Sequence, residues 1–267
     1  MSLLDVVAIL GVRNEEICLG NALRHLKANG IKYAVIDNGS DDETTAIIRR
    51  EEFSSHLVAM RNLPYRGVHD LEGMLREKMA LIETLKTDWV VHLDADEIMH
   101  PACAGETLQA AITRLDQEGY NAIDFDEFVF LPLAQSYVRD FAGVQPITTY
   151  YFYSPRPMRL MRAWRANAGF SMVDSAGHKL AGSEIHLAPQ RMIMRHYIFR
   201  DQEHAFSKYA TRPFEKAELA KGWHWNRHGQ PVHRFKFPSA DQLQVLDRPE
   251  SYDLKMHDPK PTHYWMW

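Results

Sequence analysis

The run Trp89-Val-Val-His-Leu-Asp-Ala-Asp-Glu97 passes abruptly from apolar residues to carboxylates. Its first half reads as a short strand, and side chains two apart on an extended segment point the same way. Asp94 and Asp96 can therefore converge on one object at the strand's carboxyl end. Two like charges held together raise each other's cost of ionisation unless a cation or hydrogen-bond donors compensate. A divalent metal bridging to a phosphate would compensate them, whereas an acidic loop open to water would need nothing. Two other polar clusters follow apolar runs in the same way: Arg13-Asn-Glu-Glu16 after Val6 to Leu10, and Asp37-Asn-Gly-Ser-Asp-Asp42 after Tyr33 to Ile36.

Whether the clusters can meet depends on the elements between them. Ile17, Leu19, Ala22, Leu23 and Leu26 give a helical stripe closed by Asn29-Gly30. A second helix is predicted around Glu43 to Glu52, with Ser40 or Asp41 able to cap it. Leu57 to Met60 reads as a third strand, and Asp70 to Lys86 as a helix whose apolar face carries Leu71, Met74, Leu75, Met79, Ile82 and Leu85. Strand and helix alternate through four strands, which argues for an α/β fold with a mostly parallel sheet flanked by helices. Ligands gather outside the carboxyl ends of such strands, where all three polar clusters lie.

After Glu97 the pattern changes. Ala104 to Glu118 reads as a helix and Ala122 to Phe130 as a strand. Gln145 to Phe152, Met158 to Trp164 and Arg191 to Ile198 read as extended, and Phe199 to Ala210 and Glu215 to Ala220 as helical. From Gly222 onward Pro, His and aromatic residues give no dependable element.

Composition narrows the class. A chain of 267 residues can bury one substantial core. A net charge of −4 supplies no general attraction to nucleic acid, and two cysteines are too few for a disulfide scaffold. Without a membrane-length apolar run or a leading charge before the first one, a cytoplasmic protein is expected. The aromatic tail Tyr264-Trp-Met-Trp267 could touch a membrane interface peripherally, stack on a sugar or cover the core.

Three stretches in this order resemble the inverting glycosyltransferases of family 2: Val12-Arg-Asn-Glu-Glu16, Val35-Ile-Asp-Asn-Gly-Ser-Asp-Asp42 with Thr44, and Val91-His-Leu-Asp-Ala-Asp-Glu97. His196-Tyr-Ile-Phe-Arg200 with Glu203 and Lys208 is a looser echo of some bacterial members. The resemblance implies a GT-A, Rossmann-like fold with an irregular acceptor-side C-terminal part. It makes residues 1–100 a nucleotide-sugar-binding half, and residues 101–267 the acceptor-side half of the same domain. It also implies that Asp37 contacts the nucleobase and that Asp94 lies beside the ribose or metal. Asp96 of the Asp-x-Asp motif would ligate Mn2+ or Mg2+ through the donor diphosphate. Arg13, Asn14 and Glu15 fall in the first matched stretch, where Asn14 and Glu15 could position the base or simply start the helix.

Inversion needs a general base near the acceptor hydroxyl. Asp126 is the first candidate, with Glu127 and Asp174 as competitors and structural ion pairing as the plain reading of Asp126 and Glu127. His178 is a candidate to complete the metal site, although no zinc-like spacing accompanies it. His196, Arg200 and His204 recur every four residues and would share a phosphate-facing side if a helix began early enough. Arg156, Arg159, Arg162 and Arg165 fit no single periodicity. The expected reaction moves a sugar from a nucleoside-diphosphate sugar to a hydroxyl-bearing glycan or small molecule, in a setting such as bacterial surface-glycan synthesis. Nucleotidyl transfer is the alternative, disfavoured by the glycine-poor, acidic turn after Leu10; a non-catalytic sugar- or nucleotide-binding protein is another.

Overall fold

The computed structural model describes residues 2–133, 147–155 and 159–267. The chain divides into two compact units. The first comprises residues up to Tyr65, Glu72–Phe125 and Arg159–Ile193; the second comprises Arg66–Leu71, Asp126–Met158 and Met194–Trp267.

In the first unit β1 (Val6–Val12) has six of its seven residues buried. It leads to α1 (Leu19–Ala28), which buries Leu19, Ala22, Leu23 and Leu26 along the predicted stripe. Each such aliphatic side chain contributes roughly 1.5–3 kcal/mol on full burial. β2 (Lys32–Asp37) follows, and then two short helices, α2 (Thr44–Ile48) and α3 (Glu51–Ser54), where one was expected. A straight helix would turn Phe53 well away from Ile48, five positions earlier. The break at Arg50, whose backbone is extended, lets both be fully buried. The cap also differs from expectation: Asp42 Oδ1 accepts from Thr44 N at 2.9 Å, while Ser40 is engaged elsewhere.

β3 (Leu57–Asn62), α4 (Leu71–Ile82) and β4 (Trp89–Leu93) complete the predicted alternation. β5 (Glu97–His100) is a strand the sequence reading did not place, and α5 (Leu108–Gln117) starts at a Thr107 cap, inside the predicted span. β1 pairs in parallel with β2 and β4, and β2 with β3. β6 (Ala122–Phe130) takes the predicted bounds; its first residues belong to the first unit and the rest to the second. β7 (Thr149–Tyr153), β8 (Met161–Arg165) and β9 (Met192–His196) lie within or beside their predicted spans, while Gln145, Arg156 and Met158 fall outside the described residues. In the first unit β8 runs antiparallel to both β4 and β6, so the sheet is parallel only through its first four strands and mixed beyond them. This is an α/β, Rossmann-like arrangement, with the parallel strands flanked by helices.

The second unit pairs β6 with β7 antiparallel, and β7 with the two-residue β10 (Gln244–Val245). Between them come α6 (Gln202–Ala205), a π-helical turn at Phe206–Ala210, and α7 (Lys216–Ala220). Its core gathers Tyr151, Phe199, Tyr209, Phe235, Phe237 and Trp265 from segments with no sequence period. Trp265 is 1% exposed and is core, whereas Trp267 and Trp225 are exposed. Among the described residues no helix is long and apolar enough to cross a membrane.

Candidate functional site

Strand register brings the three polar clusters of the first unit to one end of its sheet. Val12 stands opposite Asp37, and Leu10 opposite both Val35 and Leu93. Arg13, Asp37 and Asp94 therefore leave adjacent strands in the order β2, β1, β4 at their carboxyl ends.

The first two clusters lock onto each other. Asp37, 4% exposed, accepts from Ser40 Oγ at 2.5 Å and from Ser40 N at 3.2 Å. Ser40 Oγ in turn accepts from Asn14 N at 3.0 Å. Asn14 sits at φ +56, a left-handed conformation that Asn tolerates better than most residues. Its amide pairs reciprocally with Asp41, donating to the carboxylate at 2.7 Å and accepting from Asp41 N at 3.0 Å. Thr44 Oγ1 takes Glu15 N, and Asp42 takes Glu16 N. Arg13 donates to the carbonyls of Asn38 and Gly39, and its guanidinium lies 3.5 Å over the Tyr65 ring. Gly39 is at φ +64, and a Cβ there would come within 3.2 Å of Tyr65 N. Loop polarity, the plain reading of Asn14 and Glu15, thus becomes a specific lattice that holds Asp37 in place.

The third cluster rests on a residue that the sequence reading passed over. Lys78 of α4 is 1% exposed, and its three N–H groups reach Leu93 O at 3.1 Å, His92 Nδ1 at 3.2 Å and Asp94 Oδ1 at 3.3 Å. The signal was present: Lys78 lies three residues after Leu75 and four before Ile82, on the apolar face of a helix. Burial holds its pKa below the ordinary lysine value, with Asp94 pulling the other way. For the half-exposed Asp94, burial opposes ionisation, but Lys78 and then Arg162 outweigh it and hold the carboxyl below its usual value. The compensation that the paired acids demanded is thus partly internal. Asp94 N also donates to Glu97 Oε2 at 3.0 Å, and Glu97 Oε1 accepts from the buried Arg162 at 2.8 Å.

Burial, followed by Lys78, Arg162 and His178, keeps His92 well below its ordinary pKa. His92 Nε2 stands where a Cβ on Gly177 would come within 2.9 Å, so only glycine fits beside it. Asp96 is buried at 6% exposure. Among the described residues no three His, Cys, Asp or Glu side chains gather as a metal-binding group, so Asp94, Asp96 and His178 do not form the expected three-residue set. Asp174 is exposed on a single turn of 3-10 helix, Val173–Ser175.

Asp124, in the first unit, is fully buried between Arg159 at 3.2 Å and Arg191 at 3.5 Å, a structural ion cluster. Arg162 and Arg165 pair separately with Glu97 and Asp116, which explains why the arginine series had no common period.

In the second unit Asp126 is the one partly exposed residue of β6, and Glu127 is buried. Glu127 Oε1 and His196 Nδ1 are 2.6 Å apart. Burial and then Glu127 push the Tyr151 and Tyr153 hydroxyls well above their usual range, so both stay protonated. His196 closes β9, and α6 begins only at Gln202, so the four-residue spacing of His196, Arg200 and His204 is not a helical face. His204 instead folds back: its Nδ1 accepts from Arg200 N at 3.2 Å, and its own N–H is capped by Asp201 at 2.7 Å. The Glu127–His196 contact was invisible in the sequence because 69 residues separate the partners.

Residues 8–127 match the model of glycosyl transferase family 2, the stretch that holds all three polar clusters. No curated protein matches the chain. Among solved structures, residues 1–349 of S. aureus TarS are 13% identical with a TM-score of 0.42, covering 72% of this chain and 60% of that one. A longer S. aureus TarS structure is 14% identical at the same TM-score, covering 84% of this chain and 43% of that one. A mannosyltransferase from Pyrobaculum calidifontis, solved with GDP-Man and Mn2+, is 20% identical with a TM-score of 0.36, covering 47% and 36%. The chain thus spans less than two thirds of the length of each.

Proposed function

We propose, from the family 2 match over residues 8–127, that the chain is an inverting glycosyltransferase. It would move a sugar from a nucleoside-diphosphate sugar to a hydroxyl of a glycan or small-molecule acceptor. The observation that carries this reading is the convergence of Arg13, Asp37 and Asp94 at the carboxyl ends of three adjacent parallel strands.

In this reading Asp37, held ready by Ser40, accepts from the nucleobase, and the Arg13–Asn14–Glu15 turn shapes the wall beside it. Asp94 lies at the ribose or metal, and Asp96 is the principal ligand of Mn2+ or Mg2+. The donor set suits such ions. Both carboxylates are hard oxygen ligands, Asp94 is held ionised, and two ligands leave most of an octahedral shell for diphosphate oxygens and water. A bound cation would neutralise charge growing on the departing nucleoside diphosphate.

The acceptor oxygen attacks the anomeric carbon as the bond to the diphosphate breaks, and a carboxylate takes the hydroxyl proton. Of the three base candidates, Glu127 has the most developed surroundings, being buried and hydrogen-bonded to His196; Asp126 and Asp174 remain its rivals. Arg200 and His204 would meet donor phosphates or the leaving group. A cytoplasmic or membrane-peripheral enzyme of bacterial surface-glycan assembly fits these roles.

The test is incubation of the purified protein with a panel of nucleoside-diphosphate sugars and Mn2+, following release of nucleoside diphosphate with and without hydroxyl acceptors. Release that depends on Asp96 supports transfer. Release of pyrophosphate from a nucleoside triphosphate and a sugar phosphate would replace it with nucleotidyl transfer, and binding without turnover would leave a binding protein.

A further inference from the structure

Glu127 stands where strand alternation calls for an apolar side chain. Val129, two residues further along β6, shares its side of the strand and belongs to the buried core with Tyr151 and Trp265. Position 127 continues that row, yet it carries a carboxylate that is only 5% exposed. Tyr153 of β7 is in register opposite Glu127. Its ring stacks on His263 at 3.9 Å, and His263 stacks on Trp265 at 4.5 Å, so the wall beside the carboxylate is held rigid. β9 also pairs with β6, and it ends at His196.

A buried carboxylate is unfavourable unless its oxygens find donors. Glu127 Oε1 has one: His196 Nδ1 lies 2.6 Å away, within the range of a charge-assisted hydrogen bond. An ionised carboxylate can only accept, so the imidazole proton sits on Nδ1 and the tautomer is fixed. The other oxygen, Oε2, takes no hydrogen bond among the described residues. Nor is it one of the fully enclosed atoms left without a partner, so it opens to solvent. One oxygen is pinned and the other is open. Stability does not account for this pair, because a well-packed apolar pair of similar volume serves a core as well or better.

We infer that His196 is the positioning residue of the general base: its Nδ1–H holds Glu127 Oε1 and leaves Oε2 to face the acceptor hydroxyl. This role rests on the transferase reading with Glu127 as the base. As the acceptor oxygen bonds to the anomeric carbon and the bond to the diphosphate breaks, the hydroxyl proton passes to Oε2. Glu127 ends neutral, and the negative charge leaves with the nucleoside diphosphate. His196 touches neither reactant in this step. Its contribution is alignment, and a misplacement of about 1 Å at a reacting group costs on the order of 10²-fold in rate.

Transfer kinetics test this on His196→Leu, His196→Asn, Glu127→Gln and the double variant Glu127→Gln/His196→Leu, each checked for folding by its thermal melt. Asparagine carries an amide N–H close to where Nδ1 stood, whereas leucine keeps bulk without a donor. His196→Leu is expected to lose about 10²-fold in kcat at unchanged donor KM, and His196→Asn to recover to within about tenfold of wild type. The double variant should be no slower than Glu127→Gln, because the two residues act as a unit. Nitrogen-15 NMR of wild type, with the signal assigned by its loss in His196→Asn, should find the His196 proton on Nδ1. That measurement needs no activity and, with His196→Asn, carries the test if His196→Leu does not fold. A proton on Nε2 alone overturns the inference, as does equal loss in His196→Leu and His196→Asn. Collapse of Glu127→Gln beside a near-normal His196→Leu removes His196 and leaves the base. A raised donor KM at unchanged kcat gives His196 to the donor instead. Normal turnover in Glu127→Gln removes the base and this role while sugar transfer stands, and absence of any transfer by wild type removes all three.

Discussion

Replacing His69 should flatten the acid sensitivity of the second unit. Burial, then Arg212, Arg227, His224 and Lys208, place its folded pKa well below the ordinary histidine value of 6.5. The unfolded chain has no such environment and binds a proton as the pH falls through about 6.5. Below that point the unfolded state holds more protons than the folded one, so acidification removes stability until the low folded pKa is reached. The limiting slope is about 1.4 kcal/mol per pH unit, which integrates to at most about 2 kcal/mol between about pH 7.5 and about pH 5. His69→Asn removes this titration while keeping the backbone bonds of residue 69, its N–H to Pro213 O and its carbonyl from Glu215 N. The assay is urea unfolding followed by tryptophan fluorescence, since Trp223, Trp225, Trp265 and Trp267 all belong to the second unit. Wild type should lose more than His69→Asn over that range, by up to about 2 kcal/mol, whatever their relative stability at neutral pH. Parallel pH profiles for the two proteins would refute the claim that His69 is held neutral.

Calorimetry should show nucleoside diphosphate binding tightened by Mn2+ or Mg2+ in wild type and not in Asp96→Ala; equal affinity in all four cases would remove the bridging role of Asp96. Carboxamide substitutions decide the base: Glu127→Gln should lose on the order of 10²–10⁴ in turnover with donor binding retained, while Asp126→Asn and Asp174→Asn stay near wild type. A selective collapse in either of the latter would transfer the role. Asn14→Ala should cost about 1–3 kcal/mol in urea unfolding, through the lost Asp41 pair and the left-handed backbone, and should also weaken donor binding. Asn14→Gly relieves the backbone and not the pair, so its recovery measures how the two effects divide.

The parallel part of the sheet was legible because it is local. Valine- and isoleucine-rich strands, one helical stripe each and a polar turn at every strand end need only neighbouring residues to declare themselves, and β1, β2, β3 and β4 appear where those signals lie. Asp37, Asp94 and Asp96 were legible for the same reason, since each stands at the polar end of an apolar run.

What compensates those acids was not legible. Charge repulsion between Asp94 and Asp96 pointed to a cation, but nothing local could say that Lys78, sixteen positions earlier, would bring one to Asp94 from inside a helix. The zipper between the first two loops spans 25 to 29 positions, and the Glu127–His196 pair spans 69. The spacing of His196, Arg200 and His204 misled because a period means a shared face only if the backbone is helical throughout, and here a strand ends at the first of them. Sequence periodicity reports which face of an element is apolar. It cannot report which buried polar group will meet which, because that choice is made by hydrogen-bond satisfaction in the packed chain, between residues whose separation carries no pattern.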